Sequence, residues 1–184
     1  MNQRRVFIAI SLPEKERKKL INYQDTRLLT DCFRHTRNED LHLTLVFIGD
    51  VFDEQLALIC DVLKEISKDF KSIPIKLKHI SYGPNPKSPR LVWIEGLNND
   101  QLTKLRDSIE EALIDKKINY QKENRQFKPH ITLARLNRQF DDPLPEAKDI
   151  ETDLEINFEA QDIKFMESEL TRLGAQYTVL GQYP

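Results

Sequence analysis

Cysteine is scarce in this chain, and long apolar runs are absent. The chain has two cysteines, Cys32 and Cys60, which are too few for a disulfide framework and lack the spacing of a zinc site. Small proteins stabilised by disulfides or by zinc are therefore excluded. The longest apolar stretches, such as Val6 to Ile10, are far too short to cross a bilayer, and the amino terminus lacks the apolar core of a signal peptide. We therefore expect a cytoplasmic protein with no membrane segment.

An excess of one charge is also missing. The formal net charge is −2, and 32% of the residues are charged while 39% are hydrophobic. This near balance argues against a protein that coats nucleic acid through a broad basic surface. Any nucleic-acid partner is expected to be held at a local site. The length of 184 residues suffices for one domain, or for two small lobes that share a core.

The chain does contain a short motif, H-x-T-L, that occurs twice, at His42 to Leu45 and at His130 to Leu133. Each copy lies in an aliphatic, β-branched run typical of a strand, where successive side chains alternate between two faces. The histidine and threonine of each copy therefore share one face, and the residues between them point to an apolar layer. A single copy would indicate a structural histidine, but the repetition points to a site.

Periodicity elsewhere predicts an α+β fold. Strands are predicted over 6–10, 41–48, 75–80, 90–96, 154–158, 163–168 and 177–180, and helices over 14–23, 53–69 and 99–113. Asp53 and Asn99 are the predicted N-caps of the second and third helices. The breaker-rich segment 83–89 is interpreted as a loop that connects two lobes. Because strands and helices mix without regular βαβ alternation, antiparallel sheets with helices on their outer faces are expected.

Two facing His-x-Thr pairs suit in-line displacement at phosphorus. Histidine has an unperturbed pKa of about 6.5, so one copy can act as a neutral base while the other acts as a protonated acid. The hydroxyls of Thr44 and Thr132 can donate hydrogen bonds to the nonbridging oxygens, and Arg135 adds positive charge if its strand bends toward the site. No acidic residue joins either motif, so we expect neither a metal nor another cofactor.

These residues resemble the two-histidine (2H) phosphoesterase superfamily, specifically its RNA 2′,3′-cyclic phosphodiesterase (2′-5′ RNA ligase-like) branch. The resemblance is carried by Arg5 to Ile10, Leu41 to Gly49, Arg90 to Trp93, Pro129 to Arg135, and a tail that contains Glu167 to Leu170, Gly174 and Tyr177. It implies a single bilobal domain over 1–184. Two pseudo-symmetric lobes, each an antiparallel sheet with helices outside, would hold the active-site cleft between them.

The resemblance also implies a reaction, the metal-independent hydrolysis of an RNA terminal 2′,3′-cyclic phosphate to a 2′-phosphate. His42 would be the general acid on the departing 3′ oxygen and His130 the base for water. Thr44, Thr132 and Arg135 would bind the substrate. The reverse sense would be 2′-5′ RNA ligation. The expected partners are RNA ends or nucleotides that carry a 2′,3′-cyclic phosphate, and the expected state is a monomer.

One departure from the pattern and two alternatives remain. Many relatives carry Trp or Phe seven residues before the first motif histidine, where this chain has His35, so recognition of the substrate end is left open. Phe47 continues the first motif strand and is interpreted as a core residue, with contact to a nucleobase as the alternative. A phosphodiesterase that acts on 2′-5′ oligoadenylate or small cyclic nucleotides is one alternative. A noncatalytic nucleotide-binding module is the other.

Overall fold

The computed structural model describes residues 3–97, 99–118, 120, 122, 126–137, 144–171 and 174–184. Its strands are β1 (Gln3–Ser11), β2 (Phe33–His35), β3 (His42–Phe52), β4 (Ile73–Gly83), β5 (Leu91–Gly96), β6 (His130–Leu136), β7 (Thr152–Ala160), β8 (Ile163–Thr171) and β9 (Gly174–Tyr183). Its α-helices are α1 (Glu14–Arg27), α2 (Asp53–Ser67), α3 (Asp100–Asp115) and α4 (Ala147–Ile150). A single 3₁₀ turn over Asn38–Asp40 leads into the first motif strand. None of the described helices is long and apolar enough to cross a bilayer.

The described strands form two antiparallel sheets. One has four strands in the order β3-β1-β8-β9, and the other has five in the order β2-β6-β5-β4-β7. The first motif strand, β3, is an edge strand of the four-stranded sheet, while the second, β6, lies between β2 and β5 in the other sheet. This arrangement confirms the predicted α+β class with two antiparallel sheets.

The interpretation of segment 83–89 as a connection between lobes was wrong. Strands β4 and β5 pair directly with each other, with Gly83 opposite Leu91, so the segment closes a hairpin inside the five-stranded sheet. The lobes are not successive halves of the chain either, because β1 and β3 share their sheet with the carboxyl-terminal strands β8 and β9. Breaker residues show where a chain turns, but not which sheet its flanking strands join.

A continuous apolar core lies between the sheets and helices. Alternate residues of β1, namely Val6, Ile8 and Ile10, are fully buried in it. Helix α2 buries Ile59, Val62 and Leu63. The stripe predicted from helical spacing, namely Leu56, Ile59, Cys60, Leu63 and Ile66, faces the core, with Leu56, Cys60 and Ile66 partly buried against it. Helix α3 buries Leu102, Leu105, Ile109 and Leu113 in the same way. Burial of these stripes fixes the two sheets relative to the helices.

The helix caps were predicted with mixed success. Asn99 is the N-cap of α3, and its side-chain oxygen accepts hydrogen bonds from the backbone N–H groups of Gln101 and Leu102. Asp53 is not the cap of α2, because the N-cap position belongs to Phe52. The Phe52 backbone N–H donates to Oε1 of Gln55 at 3.2 Å, which satisfies that end of the helix without a capping carboxylate.

Candidate active site

A cleft of about 460 Å³ opens between the two sheets. The structure brings together in it all five side chains that the sequence singled out, namely His42, Thr44, His130, Thr132 and Arg135. The first two lie on β3 and the other three on β6, so each sheet contributes one motif strand. Residues 88 positions apart in the chain therefore face a common space, as paired His-x-Thr strands would require.

The imidazole of His42 is held by aromatic rings and by a backbone carbonyl. Its ring stacks on Phe7 with centroids 4.9 Å apart, and the edge of Tyr177 approaches at 5.2 Å. Nδ1 lies 2.7 Å from the carbonyl oxygen of Asp40, and Nε2 lies 3.0 Å from Oγ1 of Thr44. Because a carbonyl can only accept, Nδ1 carries the proton and the lone pair of the neutral ring is on Nε2.

Burial sets the charge of this histidine. Burial between Phe7 and Tyr177 lowers the pKa of His42 below the usual 6.5, and the neighbouring His130 and Arg135 lower it further. The hydrogen bond to Asp40 opposes this effect but does not cancel it. His42 is therefore neutral at pH 7, the state in which Nε2 can accept a proton.

This lowered pKa predicts a pH dependence of stability. In the unfolded chain His42 takes up a proton as the pH falls through about 6.5, whereas in the folded protein it stays neutral to a lower pH. The unfolded state then binds more protons than the folded state. The free energy of unfolding therefore decreases as the pH is lowered from about 6.5 to the folded-state pKa. We expect the melting temperature of the wild type to drop more than that of His42→Gln when both are measured above and below pH 6.5. Parallel pH profiles would contradict this account.

His130 is oriented in the same way as His42. Its Nδ1 lies 2.8 Å from the carbonyl oxygen of Lys128, again two residues earlier in the chain, so this nitrogen is also the protonated one. The ring packs on Trp93 with centroids 4.6 Å apart, and Trp93 is fixed in turn by a hydrogen bond from Nε1 to Oγ of Ser81 at 3.2 Å. Each motif histidine thus has an aromatic support and a backbone acceptor.

Both motif strands contain a β-bulge at the residue directly after the motif threonine. In the β1–β3 ladder Ala9 pairs with Thr44 and Ile8 pairs with Val46, so Leu45 is an extra residue. In the β5–β6 ladder Trp93 pairs with Thr132 and Val92 pairs with Ala134, so Leu133 is the extra residue. A bulge of this kind shifts the alternation of side chains by one position. The pseudo-symmetry of the lobes extends to these two bulges.

The bulges decide which residues face the cleft. The fifth residue after each motif histidine, Phe47 in β3 and Arg135 in β6, lines the cleft instead of entering the core. The bend that Arg135 requires is therefore present. The interpretation of Phe47 as a core residue was wrong, since 51% of its surface is exposed. The guanidinium of Arg5 lies 5.9 Å from its ring centroid and is paired with Asp50 at 3.3 Å.

Other side chains at the site were not identified from the sequence. Phe7 and Tyr177 enclose His42, but they come from β1 and β9, and only the pairing of distant strands brings them to the first motif. His35 does not replace a stacking aromatic: its Nε2 lies 2.8 Å from the carbonyl oxygen of Leu28 and closes the turn between α1 and β2. Its role in this structure is to hold that turn.

The described residues contain no group of three or more His, Cys, Asp or Glu side chains that are close enough to hold a metal ion. Comparison with protein families gives a direct result. The family model described as the 2′-5′ RNA ligase superfamily matches residues 22–172, a range that includes both motifs. This chain belongs to the 2′-5′ RNA ligase superfamily.

Individual members of the 2′-5′ RNA ligase superfamily match over nearly the whole chain. A Methanocaldococcus jannaschii protein named RNA 2′,3′-cyclic phosphodiesterase is 30% identical over 184 residues, which cover 97% of this chain and 99% of that protein. A protein of the same name from Archaeoglobus fulgidus is also 30% identical and covers 94% of this chain and 96% of its own length. The sequence resemblance to that branch is thereby confirmed.

Solved structures show the same fold. A crystal structure of a Thermus thermophilus protein superimposes with a TM-score of 0.83 at 24% identity, covering 97% of this chain and 96% of that one. The Escherichia coli LigT structure in complex with 3′-AMP gives a TM-score of 0.74 at 23% identity, with 99% and 98% coverage. The bilobal arrangement of two antiparallel sheets in this superfamily member is therefore shared by experimental structures.

Proposed function

We propose that this chain hydrolyses the terminal 2′,3′-cyclic phosphate of RNA to a 2′-phosphate without a metal ion. The observation that carries the proposal is the matched pair of histidines, each with its Nδ1 hydrogen-bonded to a backbone carbonyl and its motif threonine on the same cleft. The names of the relatives from Methanocaldococcus jannaschii and Archaeoglobus fulgidus support this substrate.

The reaction needs only the groups already present in the cleft. One imidazole Nε2 takes a proton from water as the water oxygen attacks phosphorus, and the other gives a proton to the 3′ oxygen as the P–O3′ bond breaks. The products are a 2′-phosphate and a 3′-hydroxyl. The hydroxyls of Thr44 and Thr132, with the guanidinium of Arg135, stabilise the charge that builds on the nonbridging oxygens. With a 5′-hydroxyl in place of water as the nucleophile, the same displacement of the 3′ oxygen would join the cyclic end to that hydroxyl through a 2′-5′ bond.

The division of labour between the histidines stays a prediction, with His42 as acid and His130 as base. The lowered pKa of His42 makes its neutral form dominant before substrate binds. The acid role therefore requires the negative phosphate to raise that pKa in the complex, which an opposite charge at close range does.

A substrate whose bridging 3′ oxygen is replaced by sulfur tests this division, because a thiolate leaves without a proton. The prediction is supported if His42→Ala turns over the sulfur substrate faster than the oxygen substrate and His130→Ala does not. The opposite pattern would exchange the two roles.

The threonines are expected to contribute less than the histidines. Thr44→Val and Thr132→Val each remove one hydrogen-bond donor to the developing charge, so we expect kcat to fall roughly 10-fold, about the net contribution of one hydrogen bond. Thr26→Val is a matched control, because its hydroxyl donates to the carbonyl of Asn22 on α1, away from the cleft. Wild-type rates for both motif variants would remove the threonines from the proposed site.

The test of the function is incubation of purified protein, with EDTA present, on an RNA oligonucleotide that ends in a 2′,3′-cyclic phosphate. We expect conversion to a 2′-phosphate by the wild type and not by His42→Ala or His130→Ala. Loss of activity on chelation would contradict the metal-free mechanism. Tight binding without conversion would favour the nucleotide-binding module, and conversion only of 2′-5′ oligoadenylate or small cyclic nucleotides would favour the other phosphodiesterase.

We also propose that a single chain is the functional unit, acting in the cytoplasm as one bilobal domain over residues 1–184. One copy supplies both His-x-Thr motifs to the cleft, so the chemistry requires no second subunit. Measurement of mass in solution under assay conditions tests the monomer, and a stable dimer would contradict it.

A further inference from the structure

Two arginines lie side by side at one end of the cleft. Arg34 of β2 and Arg135 of β6 are direct partners in the antiparallel β2–β6 ladder, and both side chains line the cleft. Like charges placed directly opposite each other in a sheet are destabilising. The repulsion between the two guanidinium groups lowers the stability of the folded protein, and an anion bound between them would reduce that repulsion.

Neighbouring arginines are neutralised, but this pair is not. Arg5 is paired with Asp50, and Arg37 is bound to the buried Asp40 at 2.6 Å. Within the described ranges, no carboxylate lies within ion-pair distance of Arg34 or Arg135. Asp40 is the only acidic residue among the described side chains that line the cleft, and its carboxylate is paired with Arg37. Among the residues that the structure describes, this end of the cleft therefore presents two arginines without a carboxylate partner.

The two arginines differ in their relation to the reacting groups. Arg135 belongs with those groups, because it lies on the motif strand β6 and lines the same cleft as His42 and His130. Arg34 extends to the opposite sheet, where a β-carbon at Gly174 would lie 3.4 Å from its Nη1. Gly174 begins β9, so Arg34 reaches the β8–β9 turn of the four-stranded sheet. A smaller recess beside the cleft is lined by Arg34 and Gly174 but by neither motif histidine, so an anion bound there by Arg34 would lie beside the His-x-Thr pairs, not between them.

We propose that Arg34 binds the phosphodiester immediately upstream of the cyclic phosphate, next to the contact of Arg135 with the cyclic phosphate itself, so that the site selects RNA ends over cyclic mononucleotides. This inference rests on the proposed function. A terminal 2′,3′-cyclic phosphate is the 3′ end of its strand, and the nearest other anion is the phosphodiester on the 5′ side of the same nucleoside. A guanidinium group binds phosphate oxygens through paired N–H donors, which suits Arg34 to this ligand.

The test compares two dinucleotides that end in a 2′,3′-cyclic phosphate, one with a phosphodiester link and one with a neutral methylphosphonate link. For the wild type we expect kcat/KM to be about tenfold higher with the charged link, the size of one charge-assisted hydrogen bond. In Arg34→Gln this ratio should fall several-fold. Arg27→Gln, which removes the same charge from the exposed end of α1, should keep the wild-type ratio.

A merely structural role for Arg34 would leave the ratio unchanged, because both dinucleotides would lose activity equally. The melting temperature of Arg34→Gln should not fall, since the substitution removes a repulsion between neighbours. A wild-type ratio in Arg34→Gln, or a wild-type protein indifferent to the charge of the link, would overturn the inference.

Binding separates failure of the inference from failure of the proposed function. If the wild type turns over neither dinucleotide, the same pair of links is compared by titration with dinucleotides that end in a 2′-phosphate, at low salt. Tighter binding of the charged link that is lost in Arg34→Gln would support the phosphate site and overturn the hydrolytic function. Equal affinity for the two links would overturn the phosphate site as well.

Discussion

His42→Ala and His130→Ala are each expected to lower turnover of a 2′,3′-cyclic RNA end at least about 10²-fold, the contribution of a positioned general acid or base. Each imidazole is supported by an aromatic ring and by a backbone carbonyl, so its Nε2 is placed before substrate arrives. An alanine removes the proton donor or acceptor, and water in the resulting space has neither the position nor the pKa to replace it. Initial rates under saturating substrate give the measurement.

His79→Ala is the matched control for both variants. His79 lies on β4 and contacts Asp153 at 3.4 Å on the exposed surface, outside the residues that line the cleft. We expect it to retain wild-type turnover. Melting temperatures of all three variants separate loss of the catalytic group from loss of folding. Rates for either cleft variant that match those of the control would remove that histidine from the mechanism.

Gly96→Ala is expected to destabilise the protein by roughly 3 kcal/mol. A β-carbon at Gly96 would overlap the backbone carbonyl oxygen of Lys76, which belongs to a paired strand and cannot move alone. The Gly96 N–H also donates to the carbonyl of Pro129 at 2.9 Å, directly before His130. Displacement of β5 would therefore reach the second motif, and we expect kcat to fall along with the denaturant midpoint.

Gly181→Ala is the control for the glycine prediction. A β-carbon at Gly181 would lie 2.7 Å from the hydroxyl of Tyr183, and that atom is the far end of a side chain that can rotate away. We expect a much smaller change in the free energy of unfolding. Equal destabilisation by the two substitutions would show that close approach of the backbone at Gly96 is not the cause.

Local periodicity was sufficient to predict the motif strands and the three long helices α1, α2 and α3, but not the short helix α4. His42 and Thr44 share a face because strands alternate, and Ile59 and Leu63 share one because helices repeat every 3.6 residues. Asn99 was predictable as a cap because its role depends on its own side chain. The α2 cap was missed because a residue inside the helix, Gln55, satisfies the N–H of Phe52.

Features that depend on the pairing of distant strands could not be predicted from the sequence. Strict alternation places Phe47 in the core, and only the bulge at Leu45, formed against β1, moves it to the cleft. Arg34 has no local pattern that marks it, and its meaning comes from lying opposite Arg135. Tyr177 reaches His42 because β9 joins the sheet of β3 through two intervening strands. In each case a long-range contact outweighs the local signal.

The ring-orienting acceptors in this cleft are main-chain oxygens, at positions 40 and 128. Every amino acid carries that oxygen, so the orientation of the imidazoles does not depend on which side chain occupies either position. A carboxylate in the same place would hold its histidine in the charged form by direct attraction, whereas a carbonyl is neutral. A main-chain carbonyl accepts the Nδ1 proton in either protonation state of Nε2, so the same support suits a histidine that gives a proton and one that takes it.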